Sequence, residues 1–254
     1  MRAPLVVGNW KMNGSLTSCV KLARETVRPL KAASVEVVLA PPFTALHSVA
    51  KILQPTEVKL AAQNCHWAES GAFTGEVSAP MLSEIGCRYV IIGHSERRHQ
   101  LHESDHMIAR KAAAVLAHGM RPILCVGETL SQRRRNKTLD VIGAQLDGAL
   151  KGLAKGVIVK LEIAYEPVWA IGTGQNATTE QIDQVHRSIR DYLKRSFGGF
   201  KGKTVRILYG GSVKPENASS LAAIAEVNGL LVGGASLNAA SFAAIVRAFA
   251  AVGK

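Results

Sequence analysis

The amino-acid sequence predicts an α/β protein, a single (β/α)8 barrel in which eight parallel strands close on themselves. Short apolar runs rich in β-branched residues recur eight times, and segments with helical periodicity lie between them. No linker, low-complexity tract or composition break divides the 254 residues, so residues 1–254 are predicted to form one domain. Strands that alternate with helices form right-handed crossovers and a parallel sheet, and eight such units in about 250 residues match a closed barrel.

The predicted strands are residues 5–7, 35–40, 58–62, 89–92, 122–126, 157–164, 205–208 and 230–232. The first helix is predicted behind the cap candidates Ser15 and Thr17, where one face carries Val20, Ala23, Val27 and Leu30. A later helix is predicted to begin near Pro215, with the apolar positions Ala218, Leu221, Ala222 and Ala225. A doubly wound open sheet is the alternative, but Gly8-Asn9-Trp10-Lys11 follows the first strand in place of a Gly-x-Gly-x-x-Gly loop.

The composition is that of a soluble globular protein, with 47% hydrophobic and 20% charged residues. The first apolar run is too short for the hydrophobic region of a signal peptide. Four cysteines show no Cys-x-x-Cys spacing, which predicts reduced thiols and a cytoplasmic location; they are Cys19, Cys65, Cys87 and Cys125.

The net charge of +12 is the unusual feature of the composition. It fits affinity for nucleic acid, affinity for a membrane surface, or steering of an anionic metabolite. The basic residues are scattered along the sequence, and the densest run, residues 133–137, is short. A solvated surface is therefore favoured, and neither nucleic acid nor membrane is expected as a partner.

Glu166 is the first candidate catalytic residue, because it follows the sixth predicted strand. Barrels and open α/β sheets keep their chemistry at the carboxyl ends of strands. Pro167 fixes the backbone direction after the carboxylate, and the apolar residues up to Gly174 have the character of a lid. A carboxylate beneath an apolar, glycine-hinged lid indicates proton transfer in a site that excludes water.

Polar residues also follow the first and fourth predicted strands. Lys11 alone would be a surface lysine, but beside Asn9 and Trp10 it is a candidate fixed cation for a phosphate or an enediolate. His94 opens a helical segment with Ser95 as a cap candidate, and it is either structural or a neutral ring that donates to a carbonyl oxygen.

Glu96 is either a second carboxylic acid or a partner that positions the nearby lysine, and its spacing favours the structural role. Gly210-Gly211-Ser212 and Gly233-Gly234 are weak signals separately, because glycine pairs are common in turns. After the last two strands of a barrel, their backbone N–H groups can face a phosphate. No metal site is expected, because the histidines and carboxylates of residues 99–106 lack His-Glu-x-x-His order and are assigned to an exposed helix.

Six motifs arrive in a fixed order along the chain: Gly8-Asn9-Trp10-Lys11-Met12-Asn13-Gly14, Gly71-Ala72-Phe73-Thr74-Gly75-Glu76-Val77-Ser78, Gly93-His94-Ser95-Glu96-Arg97-Arg98, the stretch from Ala164 to Gly174, Tyr209-Gly210-Gly211-Ser212-Val213, and Leu231-Val232-Gly233-Gly234-Ala235. Together they resemble the triosephosphate isomerase family from end to end. The resemblance implies a cofactor-independent isomerase of glycolysis and gluconeogenesis. Its reaction would interconvert dihydroxyacetone phosphate and D-glyceraldehyde 3-phosphate through an enediol(ate).

The resemblance also implies a role for each site residue. Glu166 would move the proton between C1 and C2, and His94 would be the neutral electrophile, an arrangement established for this enzyme. Lys11 would supply the cation, with Asn9 as a donor and Glu96 beside them. The phosphate would be held by backbone N–H groups of Gly172, Ser212, Gly233 and Gly234. The residues from Pro167 to Gly174 would be the closing loop, a gating role also established for this enzyme.

In the family, the loop from Gly71 to Ser78 docks into a second subunit and helps to order the catalytic side chains. This implies an obligate homodimer with a nearly inactive monomer, and Glu76 and Arg97 are candidates for an ion pair across the interface.

Two other functions remain open from the residues alone. One is another phosphosugar-binding barrel, such as an epimerase or an aldolase. An aldolase needs a metal or a Schiff-base lysine within a strand, and Lys160 is the candidate lysine near the sixth strand. The other is a basic protein that binds nucleic acid or a surface, which would show salt-dependent binding without turnover.

Overall fold

The computed structural model describes residues 3–30, 34–171 and 175–252. Within these residues eight strands close into a parallel barrel, in which each strand pairs with the next and the last pairs with the first. The strands are β1 (Leu5–Asn9), β2 (Glu36–Ala40), β3 (Lys59–Ala62), β4 (Tyr89–Ile92), β5 (Arg121–Val126), β6 (Glu162–Tyr165), β7 (Arg206–Tyr209) and β8 (Gly229–Val232). The predicted (β/α)8 barrel is confirmed.

Helices surround the barrel: α1 (Leu16–Val27), α2 (Phe43–Leu53), α3 (Ala79–Ile85), α4 (Ser95–Gln100), α5 (Asp105–Ala117), α6 (Leu130–Arg134), α7 (Thr138–Leu150), α8 (Thr179–Phe197), α9 (Gly199–Thr204), α10 (Ala218–Ala223) and α11 (Ala239–Ala251). Short 3-10 turns cover Arg28–Leu30, Ile158–Lys160, Val168–Ala170 and Gly234–Leu237. Ser15 caps α1 as predicted, since its side chain accepts from the Ser18 backbone N–H. No helix within the described residues combines the length and hydropathy needed to cross a bilayer.

The sixth strand is shorter than predicted. Residues 158–160 form a 3-10 turn, and pairing with β5 and β7 begins only at Glu162. Ile158 in this turn is fully buried, so the apolar run reflects burial rather than extended backbone. Lys160 consequently lies exposed at the amino end of the strand, which contradicts its interpretation as an in-strand Schiff-base lysine.

The helix predicted near Pro215 begins instead at Ala218. The residues before it form a turn held by Asn217, whose Oδ1 accepts from the Lys214 backbone N–H at 2.9 Å. Asn217 Nδ2 also donates to the Ser212 carbonyl at 3.0 Å. An asparagine that bonds to neighbouring backbone groups favours a turn over a helix, which delays the helix start.

Alternate side chains of each strand point into the barrel or towards the helices. The interior is filled by small and branched residues from all eight strands, including Leu5, Val38, Ala61, Ile91, Ile123 and Leu208. Outward residues form one continuous core with the helices. This packed barrel fixes the positions at which the chain leaves each strand.

The amino ends of the strands are closed by a buried ionic network. Arg206 donates to Glu162 Oε1 at 2.8 Å and to Glu36 Oε2 at 2.7 Å. Tyr89 donates its hydroxyl to Glu36 at 2.6 Å, and Arg121 donates to Glu162 at 2.9 Å. Burial lowers the pKa of Arg206, but its carboxylate and tyrosine partners raise it by more. The guanidinium is therefore held firmly in its charged form.

Candidate active site

The carboxyl ends of the strands surround a cavity of about 530 Å³. Seven of the predicted site residues line it: Asn9, Lys11, His94, Glu166, Ser212, Gly233 and Gly234. Gly172 lies outside the described residues, so its predicted phosphate contact stays a prediction. Residues separated by more than two hundred positions in the sequence thus share one cavity, as expected for strand exits of a barrel.

Glu166 leaves the barrel wall in a direction that the backbone determines. Its N–H donates to the Val126 carbonyl of β5 at 2.8 Å, which extends the parallel pairing by one residue. The carboxylate then reaches β4, where Oε1 lies 3.0 Å from His94 Nε2 and Oε2 accepts from the Ser95 backbone N–H at 2.9 Å. The side chain is only 2% exposed.

These contacts determine the charge of the carboxyl group. Burial raises the pKa of Glu166, but His94, the Ser95 N–H and Lys11 lower it by more, so the net shift is downwards. Glu166 is therefore ionised and able to accept a proton. Loss of these partners while the group stays buried would raise its pKa and strengthen it as a base.

Two glycines allow the backbone and side chain of Glu166 to occupy these positions. A Cβ on Gly127 would lie 1.8 Å from the Glu166 carbonyl oxygen, and a Cβ on Gly210 would lie 2.9 Å from Glu166 Cγ. Both distances are shorter than van der Waals contact. At Gly127 the neighbouring backbone approaches too closely for any side chain, whereas at Gly210 a Cβ would press on the Glu166 side chain.

His94 is the N-cap of α4, one residue before the cap candidate Ser95. Its Nδ1 accepts from the Glu96 backbone N–H at 3.3 Å, so a proton on this ring belongs on Nε2, which faces Glu166. Burial lowers the pKa of His94, whereas the Glu166 carboxylate raises it by more and gives a net upward shift. The geometry accommodates a neutral ring whose Nε2–H points into the cavity.

Lys11 is held in a strained backbone conformation beside the histidine. Its φ of 52° is in the left-handed region, which costs a non-glycine residue free energy. The Lys11 N–H donates to Asn9 Oδ1 at 3.0 Å, and Gln63 Nε2 donates to the Lys11 carbonyl at 2.9 Å. Lys11 Nζ contacts Glu96 Oε1 at 2.8 Å, so Glu96 is placed as a partner of Lys11.

The glycine-rich turns form another part of the cavity wall. Gly233 immediately precedes the 3-10 turn Gly234–Leu237, so this wall includes the N-terminus of a turn, where backbone N–H groups can face an anion. A Cβ on Gly233 would lie 3.5 Å from Lys11 Cε, which places the turn next to the lysine. Ser212 and Lys214 line the neighbouring part of the wall. Backbone donors and cations therefore surround this end of the cavity, as an anion requires.

The first half of the predicted lid is anchored to Glu128, a fully buried carboxylate after β5. Trp169 Nε1 donates to Glu128 Oε1 at 2.9 Å, and the Tyr165 hydroxyl contacts Glu128 Oε2 at 3.1 Å. Arg133 pairs with Glu128 at 3.0 Å and lies over the Trp169 ring, 4.8 Å from its centroid. The lid residues 172–174 lie outside the described residues.

Sequence reasoning missed Gln63 and Glu128. Both are polar residues at strand exits, after β3 and β5, and that position is the signal that could have identified them.

The assignment of residues 99–106 to an exposed helix is wrong for Glu103, which is buried in the connection between α4 and α5 and pairs with Arg97 and Lys111. Among the described residues no three His, Cys, Asp or Glu side chains are grouped to hold a metal ion.

Comparison with known proteins gives a consistent result. The family model for triosephosphate isomerase matches residues 4–249. Triosephosphate isomerase from Caldanaerobacter subterraneus is 50% identical, and the match covers 97% of this chain and 100% of the relative. Triosephosphate isomerase from Chlorobium luteolum is 49% identical, and the match covers 98% of this chain and 99% of the relative. The crystal structure of triosephosphate isomerase from Bartonella henselae has a TM-score of 0.88 and 41% identity, over 98% of this chain and 99% of that one.

Proposed function

The chain belongs to the triosephosphate isomerase family and interconverts dihydroxyacetone phosphate and D-glyceraldehyde 3-phosphate, and we propose that Glu166 is the base of this reaction. The observation that carries the proposal is the buried carboxylate 3.0 Å from His94 Nε2 inside a cavity that also holds Lys11. Isomerisation needs a base at carbon and an acid at the neighbouring oxygen, and these two side chains supply that pair.

The substrate enters between the base and the acid. Glu166 and His94 are in direct contact, so a bound carbonyl group and its neighbouring carbon must separate them. Separation also removes the Ser95 N–H from the carboxylate, and the pKa of Glu166 then rises because the group remains buried without its donors. Binding of the substrate thus strengthens the base at the moment of proton abstraction.

The negative charge of the enediolate is met by groups already in place. His94 Nε2–H donates to one oxygen and moves a proton between the two oxygens, while Lys11 Nζ and the Asn9 amide face the same end of the cavity. Because the strained Lys11 backbone is held by Asn9 and Gln63, the cation needs little reorganisation. Ser212, Gly233 and Gly234 bind the phosphate, and the lid excludes the water that would weaken these charges.

Replacement of the base tests this proposal. Glu166→Gln keeps the size of the side chain but removes the proton acceptor, so kcat in a coupled assay with glyceraldehyde 3-phosphate should fall about 10²–10⁴-fold. The control is Glu84→Gln, an exposed carboxylate on α3, which should leave kcat unchanged. Near-normal turnover in the Glu166 variant would show that another group abstracts the proton.

We further propose a homodimer that forms through the loop from Gly71 to Ser78. Phe73 in this loop is 43% exposed, Met81 just after the loop is 50% exposed, and Met12 after β1 is 95% exposed. Contact with a second chain would remove these apolar side chains from water. Arg97 pairs with Glu103 within the chain. The predicted ion pair between Arg97 and Glu76 across the dimer interface would form in addition to this internal pair.

Sedimentation at falling protein concentration, with turnover measured in parallel, tests the dimer. Phe73→Ser should shift the chain towards the monomer and lower turnover, because the loop orders the catalytic side chains of its partner. Phe200→Ser changes an equally large exposed residue on α9 and should leave the dimer intact. A fully active monomer would contradict the proposal.

The cytoplasmic location remains a prediction from the cysteines, all four of which are unpaired and buried.

A further inference from the structure

The surplus positive charge includes a concentrated group that the sequence alone does not reveal. Residues 152–161 and 192–205 contain six lysine and arginine residues and no aspartate or glutamate. Lys155 and Lys160 lie in the first stretch, and Lys194, Arg195, Lys201 and Lys203 lie in the second. Because β6 and most of α8 lie between the two stretches in the sequence, the basic residues look scattered until the chain is folded.

The fold brings the two stretches together at the end of the barrel opposite the cavity. Helix α9 packs against α8 on one side and against the 3-10 turn Ile158–Lys160 on the other. These segments immediately precede β6 and β7, which pair in parallel, so they meet at the amino ends of these strands. A partner bound to them would leave the mouth of the cavity open.

Five of these charges have no compensating carboxylate in the part of the chain that the structure describes. Lys194 lies 3.6 Å from Asp191, whereas Lys155, Lys160, Arg195, Lys201 and Lys203 are exposed and form no ion pair there. These five cations are distinguished by their concentration, because two short stretches without an acidic residue supply all of them. The unpaired group forms a positive surface that an external anion can neutralise.

Phe200 stands among these charges and is 83% exposed. It is the second residue of α9, between Gly199 and Lys201, while the other aromatic rings of the stretch are buried or half-buried at Phe197 and Tyr192. A single exposed apolar residue is ordinary on a protein surface. A large exposed ring on the same short helix as two unpaired lysines is a combination that suits the interfacial layer of a membrane.

We propose that this basic surface, formed by Lys155, Lys160, Arg195, Phe200, Lys201 and Lys203, binds the anionic headgroups of a lipid bilayer. The cations contact lipid phosphates and carboxylates, and the Phe200 ring enters the boundary between headgroups and acyl chains. No membrane partner is expected from the sequence, because the basic residues are scattered along the chain. The fold brings two of the basic stretches together, so that reason does not apply to this surface.

Lipid is favoured over nucleic acid by the chemistry of the surface. Four of the five unpaired cations are lysines, which are compact point charges without the planar fork that arginine offers to base edges. Surfaces that bind single-stranded nucleic acid stack successive bases on several aromatic rings. Here Phe200 is the one exposed ring of the stretch, which suits insertion into a lipid layer better than stacking.

Co-sedimentation of the full chain with vesicles tests the proposal. The vesicles contain phosphatidylcholine with or without phosphatidylserine, and binding should require phosphatidylserine and weaken with salt. Each basic residue near an anionic surface contributes about fivefold, so Lys201→Gln with Lys203→Gln should lower the affinity about 25-fold. Phe200→Ser should lower it about tenfold.

The matched control is Lys21→Gln with Lys137→Gln, which removes the same net charge from two other exposed sites. It should change vesicle affinity less than about twofold, because the substituted lysines lie outside the proposed contact. All variants should keep normal turnover in solution, which shows that they are folded. Vesicle-bound enzyme should turn over as fast as free enzyme, since the cavity opens at the opposite end.

Three results would overturn the proposal. Binding that is independent of phosphatidylserine would show that headgroup charge is not recognised. An equal loss of affinity in both lysine pairs would show that net charge, and not this surface, governs adsorption. Tighter binding to single-stranded RNA than to the anionic vesicles, with the same sensitivity to Phe200→Ser, would assign the surface to nucleic acid.

Discussion

Gly210→Ala tests whether the position of Glu166 limits catalysis. The new Cβ would lie 2.9 Å from Glu166 Cγ and 3.4 Å from the Tyr165 carbonyl oxygen. Carbon atoms in contact are about 3.5–4.0 Å apart, so the carboxylate must move by about 0.6–1.1 Å. The φ of Gly210 is not in the positive region, so alanine fits the backbone there and the strain falls on the side chain of the base.

A displacement of about 1 Å in a catalytic group costs about 10²-fold in rate, or about 2.7 kcal/mol of transition-state stabilisation. Steady-state kinetics with glyceraldehyde 3-phosphate should therefore show kcat reduced about 100-fold, with KM changed only a few-fold. Gly143→Ala in α7 is the control, because its Cβ meets no atom within 4 Å and kcat should not change. If Gly210→Ala kept more than about half of normal kcat, positional control of the base by this glycine would be refuted.

Two further predictions concern the contacts around the barrel. Trp169→Phe removes the hydrogen bond to Glu128. Because hydrogen bonds to charged groups contribute about 1.5–3 kcal/mol, the free energy of unfolding in urea should fall by about 1–3 kcal/mol. An unchanged urea midpoint would contradict this prediction. Burial raises the pKa of Glu36, but Tyr89 and Arg206 lower it by more. The ionised Glu36 therefore stabilises the fold at pH values above its usual pKa. This stabilisation is lost as the pH falls through the lowered pKa. Glu36→Gln should therefore be less stable at neutral pH and lose less stability during acidification, as measured by urea midpoints between about pH 5 and 3, and parallel pH profiles would count against it.

Much of the candidate site could be predicted from where strands end. Glu166, His94 and Lys11 each follow an apolar run, and a parallel barrel brings such residues to one rim regardless of their separation in sequence. The sixth strand shows the limit of this reasoning. An apolar run records burial, and Ile158 is buried in a 3-10 turn as fully as it would be in a strand.

Gln63 and Glu128 were not predictable in the same way. Their roles depend on atoms contributed by distant elements, namely the Lys11 carbonyl and the Trp169 indole N–H. Nothing in the neighbouring sequence distinguishes such residues from any polar residue after a strand. The contact of Glu96 with Lys11 agrees with one of the two interpretations of Glu96, the partner that positions the lysine, which its spacing had favoured.

The sequence by itself determined the barrel, the order of its strand exits and the chemical types of the groups collected there. The pattern of apolar and polar residues within each segment indicates whether that segment is a strand or a helix and which face is buried. The number and order of the strands can therefore be predicted one segment at a time. Only the tertiary structure decided that Glu166 contacts His94 and Ser95, and that α9 packs against both α8 and the 3-10 turn Ile158–Lys160. Distances and electrostatic interactions depend on which segments pack together, and that is a property of the whole chain.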